Sequence, residues 1–301
     1  MSLIEVSCLT KDYGPVRAVD DLSFNIEAGV IAGFLGPNGS GKTTTLRSLL
    51  GLVSPTAGSA TIAGRRYREL RQPLREVGVM LEAAAHPART ARNHLRIVAA
   101  EARVPRSRVD ELLDLVELHA ASDRKVGGFS LGMHQRLGLA AALIGDPGIL
   151  ILDEPANGLD PEGIRWLRDF LRALAGEGRT VLLSSHVLGE VAQTVDEAVV
   201  INQGRLVVHA SLREIVDNGS GRSVQLRSPQ LSALDTVLRG AGMMTDRYGD
   251  DGLTVMGGGQ EAIGQLAFDH GIVLYEIYTE STSLEDAFFE LTSTPIEAVV
   301  T

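Results

Sequence analysis

Between residues 36 and 43 the chain reads Gly36-Pro37-Asn38-Gly39-Ser40-Gly41-Lys42-Thr43, with Thr44 following. Glycines at that density let successive backbone N–H groups turn toward a single anion. A helix beginning near Lys42 adds the positive end of its dipole to the same spot. Lys42 can reach the β- and γ-phosphates of a nucleotide, and the Thr43 hydroxyl is an oxygen donor suited to Mg2+. A glycine-rich turn could match this pattern by chance. The apolar run at 30–35 before it and the helical pattern after it supply the strand–loop–helix setting that a chance match lacks.

A second cluster follows the run Ile149-Leu150-Ile151-Leu152, which ends in Asp153-Glu154-Pro155. Four consecutive apolar residues suit a strand buried on both faces of a sheet. Two adjacent carboxylates then emerge at its C-terminal end, where ligands bind in open α/β sheets. Asp153 can hold Mg2+ directly or through water, and Glu154 can orient and polarise an attacking water. An apolar strand ending in acids usually just enters a solvated loop. Downstream of a complete phosphate loop, the hydrolytic reading prevails.

The elements that must position these groups alternate between strands and helices. Strands are expected at 3–8, 18–26, 30–35, 59–62, 77–81, 149–152 and 180–184, with helices at 42–52 and 161–174. Asn202-Gln203-Gly204 separates two short runs at 199–201 and 205–209 as a hairpin turn. Several helices are expected over 90–145, including one at 109–118 whose apolar positions are Leu112, Leu113, Leu115 and Val116. The fold class is therefore α/β, with a helical insertion near 85–145. Residues 216–223, rich in Asn, Gly and Ser, mark a boundary. Beyond it the expected order is strand 223–228, helix 229–241, strands 243–248 and 252–256, helix 259–269, strand 272–279 and helix 283–292. That order suits a small split βαβ domain.

The net charge of −10 argues against a general nucleic-acid binder, which needs a basic stripe. The single cysteine, Cys8, can form no internal disulfide and reads as a small buried residue on an early strand. The N-terminal residues lack the basic and apolar regions of a signal peptide. No apolar run approaches the roughly 20 residues needed to span a bilayer. The expectation is a soluble, cytoplasmic protein that serves a membrane, if at all, through a partner.

At this point the chain resembles the nucleotide-binding domain of ATP-binding cassette (ABC) proteins, over about residues 1–215. Tyr13 resembles the aromatic that stacks on adenine. Phe129-Ser130-Leu131-Gly132-Met133-His134-Gln135-Arg136 resembles the family signature, and Asn157-Gly158-Leu159-Asp160 the loop that crosses the dimer interface. His186 resembles the switch histidine, and Glu82 occupies the place of the glutamine loop. Ser130 also suits the N-cap of a helix beginning at Leu131.

The resemblance implies a P-loop ATPase fold with a mixed sheet and helical subdomain, followed by a small α+β domain at 216–301. It implies ATP and Mg2+ as cofactors, with Thr43 and Asp153 as metal ligands and Glu154 and His186 as catalytic residues. It further implies a head-to-tail homodimer in which Ser130, Gly132 and Asp160 of one copy meet the nucleotide of the other. The partner implied is a separate membrane-spanning permease, with the chain on the cytoplasmic face. Leu131, Met133 and Glu82 depart from the commonest family residues and, with Ser283-Leu284-Glu285-Asp286-Ala287-Phe288-Phe289-Glu290-Leu291, resemble the bacterial drug, antibiotic and peptide exporters. Alternative readings are a cassette ATPase acting on ribosomes or DNA, and the ATPase of an importer or lipid transporter. One phosphate loop and no sustained heptads weigh against the first of these.

Overall fold

The computed structural model describes residues 2–81, 85–187, 189, 193–212, 214–215 and 223–280. They divide into two compact units between Ser211 and Leu212. Glu82, the 216–222 boundary and the 283–292 helix expected from sequence lie outside the described residues.

In the first unit, β1 (Ser2–Tyr13), β2 (Val16–Glu27) and β4 (Ala57–Ile62) form an antiparallel sheet in the order β2-β1-β4. Its strands alternate: Val19, Leu22, Phe24 and Ile26 are buried, while Asp21, Ser23 and Asn25, each just before one of the last three, are exposed. That is the period of a sheet with one covered face. A second sheet of six strands runs β5-β6-β7-β3-β8-β9. It comprises β3 (Ile31–Leu35), β5 (Val77–Met80), β6 (Ile149–Leu152), β7 (Thr180–Ser185), β8 (Glu197–Asn202) and β9 (Arg205–Ser211). All pairs are parallel except β8 with β9. The central strands β3, β6 and β7 are buried at every position, so their sequences show no alternation.

Helix α1 (Lys42–Leu49) leaves the end of β3 and buries Leu46 and Leu49 in a core shared by both sheets, where Phe24 and Phe34 lie 5.3 Å apart. The short α2 (Pro73–Glu76) leads into β5. Between β5 and β6 come α3 (Ala91–Glu101), α4 (Ser107–Leu115) and α5 (Leu131–Ala142), and α6 (Pro161–Gly176) connects β6 to β7. Among the described residues no helix is long and apolar enough to cross a membrane.

The second unit runs β10 (Ser223–Arg227), α7 (Leu231–Gly240), β11 (Met244–Tyr248), β12 (Gly252–Met256), α8 (Gln260–Asp269) and β13 (Glu276–Glu280). Its antiparallel sheet has the order β11-β12-β10-β13. Val224, Leu226, Leu253 and Val255 pack with Leu234, Leu238 and Ile263 in a core of its own. Both the element order and the sheet are those of a split βαβ arrangement.

Three sequence expectations need correction. Cys8 is exposed, not buried. A bulge between Val6 and Leu9 places both Ser7 and Cys8 outside the core, Cys8 takes φ +48°, and its N–H donates to Ser23 Oγ at 2.8 Å. Helix α4 stops at Leu115, which is 48% exposed, although Leu112, Leu113 and Val116 are buried as expected. The strand expected at 272–279 starts at Glu276. Before it, the Val273 N–H donates to Gln230 Oε1 at 3.1 Å and the Val273 carbonyl accepts from Ser228 Oγ at 2.7 Å.

Candidate functional site

Strand β3 delivers the chain to Gly36, where the backbone is so crowded that a Cβ would lie 2.4 Å from the Ile201 carbonyl oxygen. The loop then folds on itself, the Ser40 N–H donating to the Pro37 carbonyl at 3.2 Å. Gly41 enters α1 at φ +105°, with Ala18 O only 2.5 Å from where its Cβ would stand. No other residue fits there. Asn38, Gly39, Gly41, Lys42, Thr43 and Thr44 line a cleft of about 440 Å³, joined by Ala18, Glu154, Asn157 and His186. Ser40 is buried, and its hydroxyl has no hydrogen-bond partner among the described residues.

The carboxylates arrive on β6. The Asp153 N–H donates to the Met80 carbonyl at 2.7 Å, holding the strand end in line. Asp153 Oδ2 accepts from Thr43 Oγ1 at 2.9 Å, and Oδ1 accepts from Ser184 Oγ at 2.5 Å. Ser184 Oγ also accepts the Glu154 N–H at 2.9 Å. Glu154 itself sits at φ +49°, an unfavourable conformation for a residue with a side chain, and one that occurs preferentially at functional sites. Its carboxylate lies between Lys42 and His186. Lys42 Nζ is 3.5 Å from Oε1, and His186 Nδ1 is 2.8 Å from Oε2. Lys42 Nζ also donates to the Gly36 carbonyl at 2.6 Å and the Pro37 carbonyl at 3.2 Å.

Thus Lys42, Thr43, Glu154 and His186 converge on one cleft, and Asp153 sits buried behind its lining, bonded to Thr43. Ser130, Gly132 and Asp160 are not among its lining residues. Ser130 caps α5, its Oγ accepting the Met133 N–H at 3.3 Å, and Asp160 caps α6, its Oδ1 accepting the Gly163 N–H at 2.8 Å. The two caps are neighbours through Leu131, which packs on Gly158, and Gln135, whose Nε2 donates to the Asn157 carbonyl at 3.3 Å. Arg136 of α5 stacks on Trp166 of α6 at 4.0 Å, and Trp166 stacks in turn on Phe170 at 4.9 Å. Tyr13, at the end of β1, is 48% exposed and also outside the cleft lining. Lys11 Nζ covers one face of its ring at 4.9 Å.

Sequence reasoning missed Ser184, which joins Asp153 to Glu154, and Ala18, which reaches the cleft from the other sheet. The signal for Ser184 was available: two serines follow the apolar run Val181–Leu183 in a fully buried strand. Ala18 left no such signal, because its role comes from the packing of β2 against the loop.

Two titrating groups near this unit's joints are displaced. Partial burial raises the Asp20 carboxyl, and hydrogen bonds from Arg205 and Arg17 outweigh that and hold it below the usual carboxylate range. Burial, and then nearby Arg89, push the His94 imidazole on α3 below its ordinary value.

Residues 19–157 match the family model described as "ABC transporter", and 222–285 match a domain of unknown function (DUF8746). The chain is 38% identical to the bacitracin transport ATP-binding protein BcrA of Bacillus licheniformis, over 96% of this chain and 97% of that one. It is 38% identical to the lantibiotic transport ATP-binding protein SrtF of Streptococcus pyogenes, over 68% of this chain and 90% of the other. A solved structure described as the ATP binding subunit of an ABC transporter superposes with TM-score 0.65 at 27% identity, covering 72% of this chain and 93% of that one.

Proposed function

Since the chain belongs to the ATP-binding proteins of ABC transporters, and is thereby an ATPase, we propose that it powers export of an antibiotic or peptide-like compound through a permease made as a separate chain. The similarity to a bacitracin transport protein over nearly the whole of both chains supports that cargo class. It includes the second unit, beyond the ATPase core. The working place of such a subunit is the cytoplasmic face of the membrane.

The observation that carries the site reading is the Glu154 carboxylate, held by Lys42 and His186 at the edge of the phosphate-loop cleft. In this reading the Gly36–Thr44 backbone and Lys42 bind the ATP phosphates. Glu154 takes the proton of the attacking water and His186 fixes its orientation. The Thr43 hydroxyl and the Asp153 carboxylate are hard oxygen donors 2.9 Å apart and fit Mg2+. Mg2+, when bound there, supplies charge neutralisation at the phosphates.

Tyr13 offers the free face of its ring to the adenine. Ser130, Gly132 and Asp160 serve the nucleotide of a second copy, facing head to tail. Their position outside their own chain's cleft supports that division. ATP hydrolysis by the purified chain, and its recovery in complex with a polytopic membrane protein, test the reading. Copurification with ribosomes instead, or unchanged drug sensitivity on deletion, would overturn the exporter assignment.

A further inference from the structure

The phosphate loop is gripped from behind by two segments that do no chemistry. On one side, the Gln203–Gly204 turn joins β8 to β9, with φ +47° and +80° at its two residues. On the other, Ala18–Asp20 of β2 crosses from the antiparallel sheet. The Gly204 N–H donates to the Ser40 carbonyl at 2.9 Å, and the Gly204 carbonyl accepts the Asp20 N–H at 2.9 Å. Gly204 is irreplaceable in this role, because a Cβ would fall 2.9 Å from Val19 Cα.

Side chains lock the junction. Asp20 Oδ2 accepts from Arg205 Nε at 2.7 Å and Nη2 at 2.6 Å, and Oδ1 accepts from Arg17 Nη1 at 3.0 Å. Arg17 also pairs with Asp12 at 2.9 Å. The Asp20 side chain is 16% exposed, whereas Arg17 and Arg205 are 54% and 56% exposed. Asp20 is therefore the inner member of the lock.

The consequence lies in the peptide plane that joins Ser40 to Gly41. Its carbonyl and its N–H point in opposite directions. Fixing the Ser40 carbonyl on Gly204 therefore turns the Gly41 N–H away from the turn, toward the cleft that Gly41 lines. We propose that Asp20 is a positioning residue for nucleotide binding: clamped by Arg17 and Arg205, it holds the Gly204 turn against Ser40 and so presets the loop's N–H groups for the phosphates. This rests on the reading of Gly36–Thr44 as the phosphate site. A preset loop lowers the ordering cost of binding, so losing the clamp weakens ATP binding more than it slows the bound enzyme.

The test uses the full chain and four variants: Asp20→Ala, Arg205→Ala, their double, and Arg205→Lys. Calorimetry gives Kd for Mg·ATP, thermal unfolding gives Tm, and steady-state kinetics give kcat. Asp20→Ala and Arg205→Ala should each raise Kd about five- to twentyfold, with kcat at saturating ATP kept within about twofold. The double variant should be no worse than Asp20→Ala alone, and Arg205→Lys should recover most of the affinity. Arg205 is largely exposed, so its variants fold even if Asp20→Ala does not. Unchanged Kd in both single variants, or strictly additive losses in the double, overturns the proposal. Lys42→Ala separates the two levels: if it too binds Mg·ATP normally, the phosphate-site reading fails and the proposal fails with it. If Lys42→Ala loses binding and the clamp variants do not, only the clamp is wrong.

Discussion

His186 Nδ1 and Glu154 Oε2 lie 2.8 Å apart although 32 residues separate them, one at the end of β6 and the other just past β7. Parallel pairing of these two neighbouring strands brings both side chains to the same sheet edge. With Lys42 Nζ on the other carboxylate oxygen, Glu154 is held from both sides. In the proposed mechanism, Glu154→Gln keeps the shape and loses the base. Turnover should fall by about 10²- to 10⁴-fold with ATP affinity nearly unchanged, read by phosphate release and by calorimetry on the same sample. Hydrolysis at the wild-type rate would remove Glu154 from the mechanism.

Asp153 touches both Thr43 and Ser184, so its carboxylate links the loop to the sheet. Asp153→Asn leaves a side chain that can still bond Ser184 but removes the charge that the proposed Mg2+ site needs. The Mg2+ concentration needed for half-maximal hydrolysis should rise about tenfold or more. A titration indistinguishable from wild type would mean the metal is held elsewhere.

Ser130 is exposed at the N-terminus of α5 and lies outside its own chain's phosphate cleft. Ser130→Arg adds bulk and charge there without disturbing the core. In the Glu154→Gln background, ATP should convert the chain to a dimer on size exclusion, and adding Ser130→Arg should abolish the shift while leaving one-copy nucleotide binding in place. Dimer formation by the double variant would reject the head-to-tail arrangement.

His94 gives a pH dependence with a definite sign. Burial, reinforced by Arg89, lowers its pKa from the ordinary value of 6.5, so the folded chain prefers the neutral ring. Below 6.5 the unfolded chain takes up a proton that the folded one resists, and stability falls as pH drops through that window. At higher pH the ring is neutral in both states and contributes nothing. Tm should therefore decline between about pH 7 and about pH 5 less steeply in His94→Gln than in wild type. Parallel curves would show that His94 carries no such coupling.

The candidate-site residues that follow a local pattern were legible in the sequence. Gly36–Thr43 and Asp153-Glu154 each require a particular order of types within a few positions, and the flanking strands announce themselves by their apolar runs. The central strands of the large sheet could be recognised because burial on both faces removes polar residues from them. What stayed hidden depends on partners far along the chain. Cys8 turns outward because of a bulge paired to Ser23, and Ser184 matters because β7 lies beside β6. The late start of β13 reflects side chains of Ser228 and Gln230 capturing the backbone of Val273, which apolar composition at 272–274 does not reveal. Gly204 was legible as a turn, but its bond to Ser40 spans 164 positions and belongs to tertiary packing alone.

The contact between Arg136 and Trp166 has a practical side. Trp166 is the chain's only tryptophan, so all of its tryptophan emission comes from the joint between α5 and α6. A guanidinium 4.0 Å from the indole ring makes that emission sensitive to small rotations of either helix. The protein therefore carries a built-in optical gauge of any change in the packing of α5 on α6, readable without attaching a label.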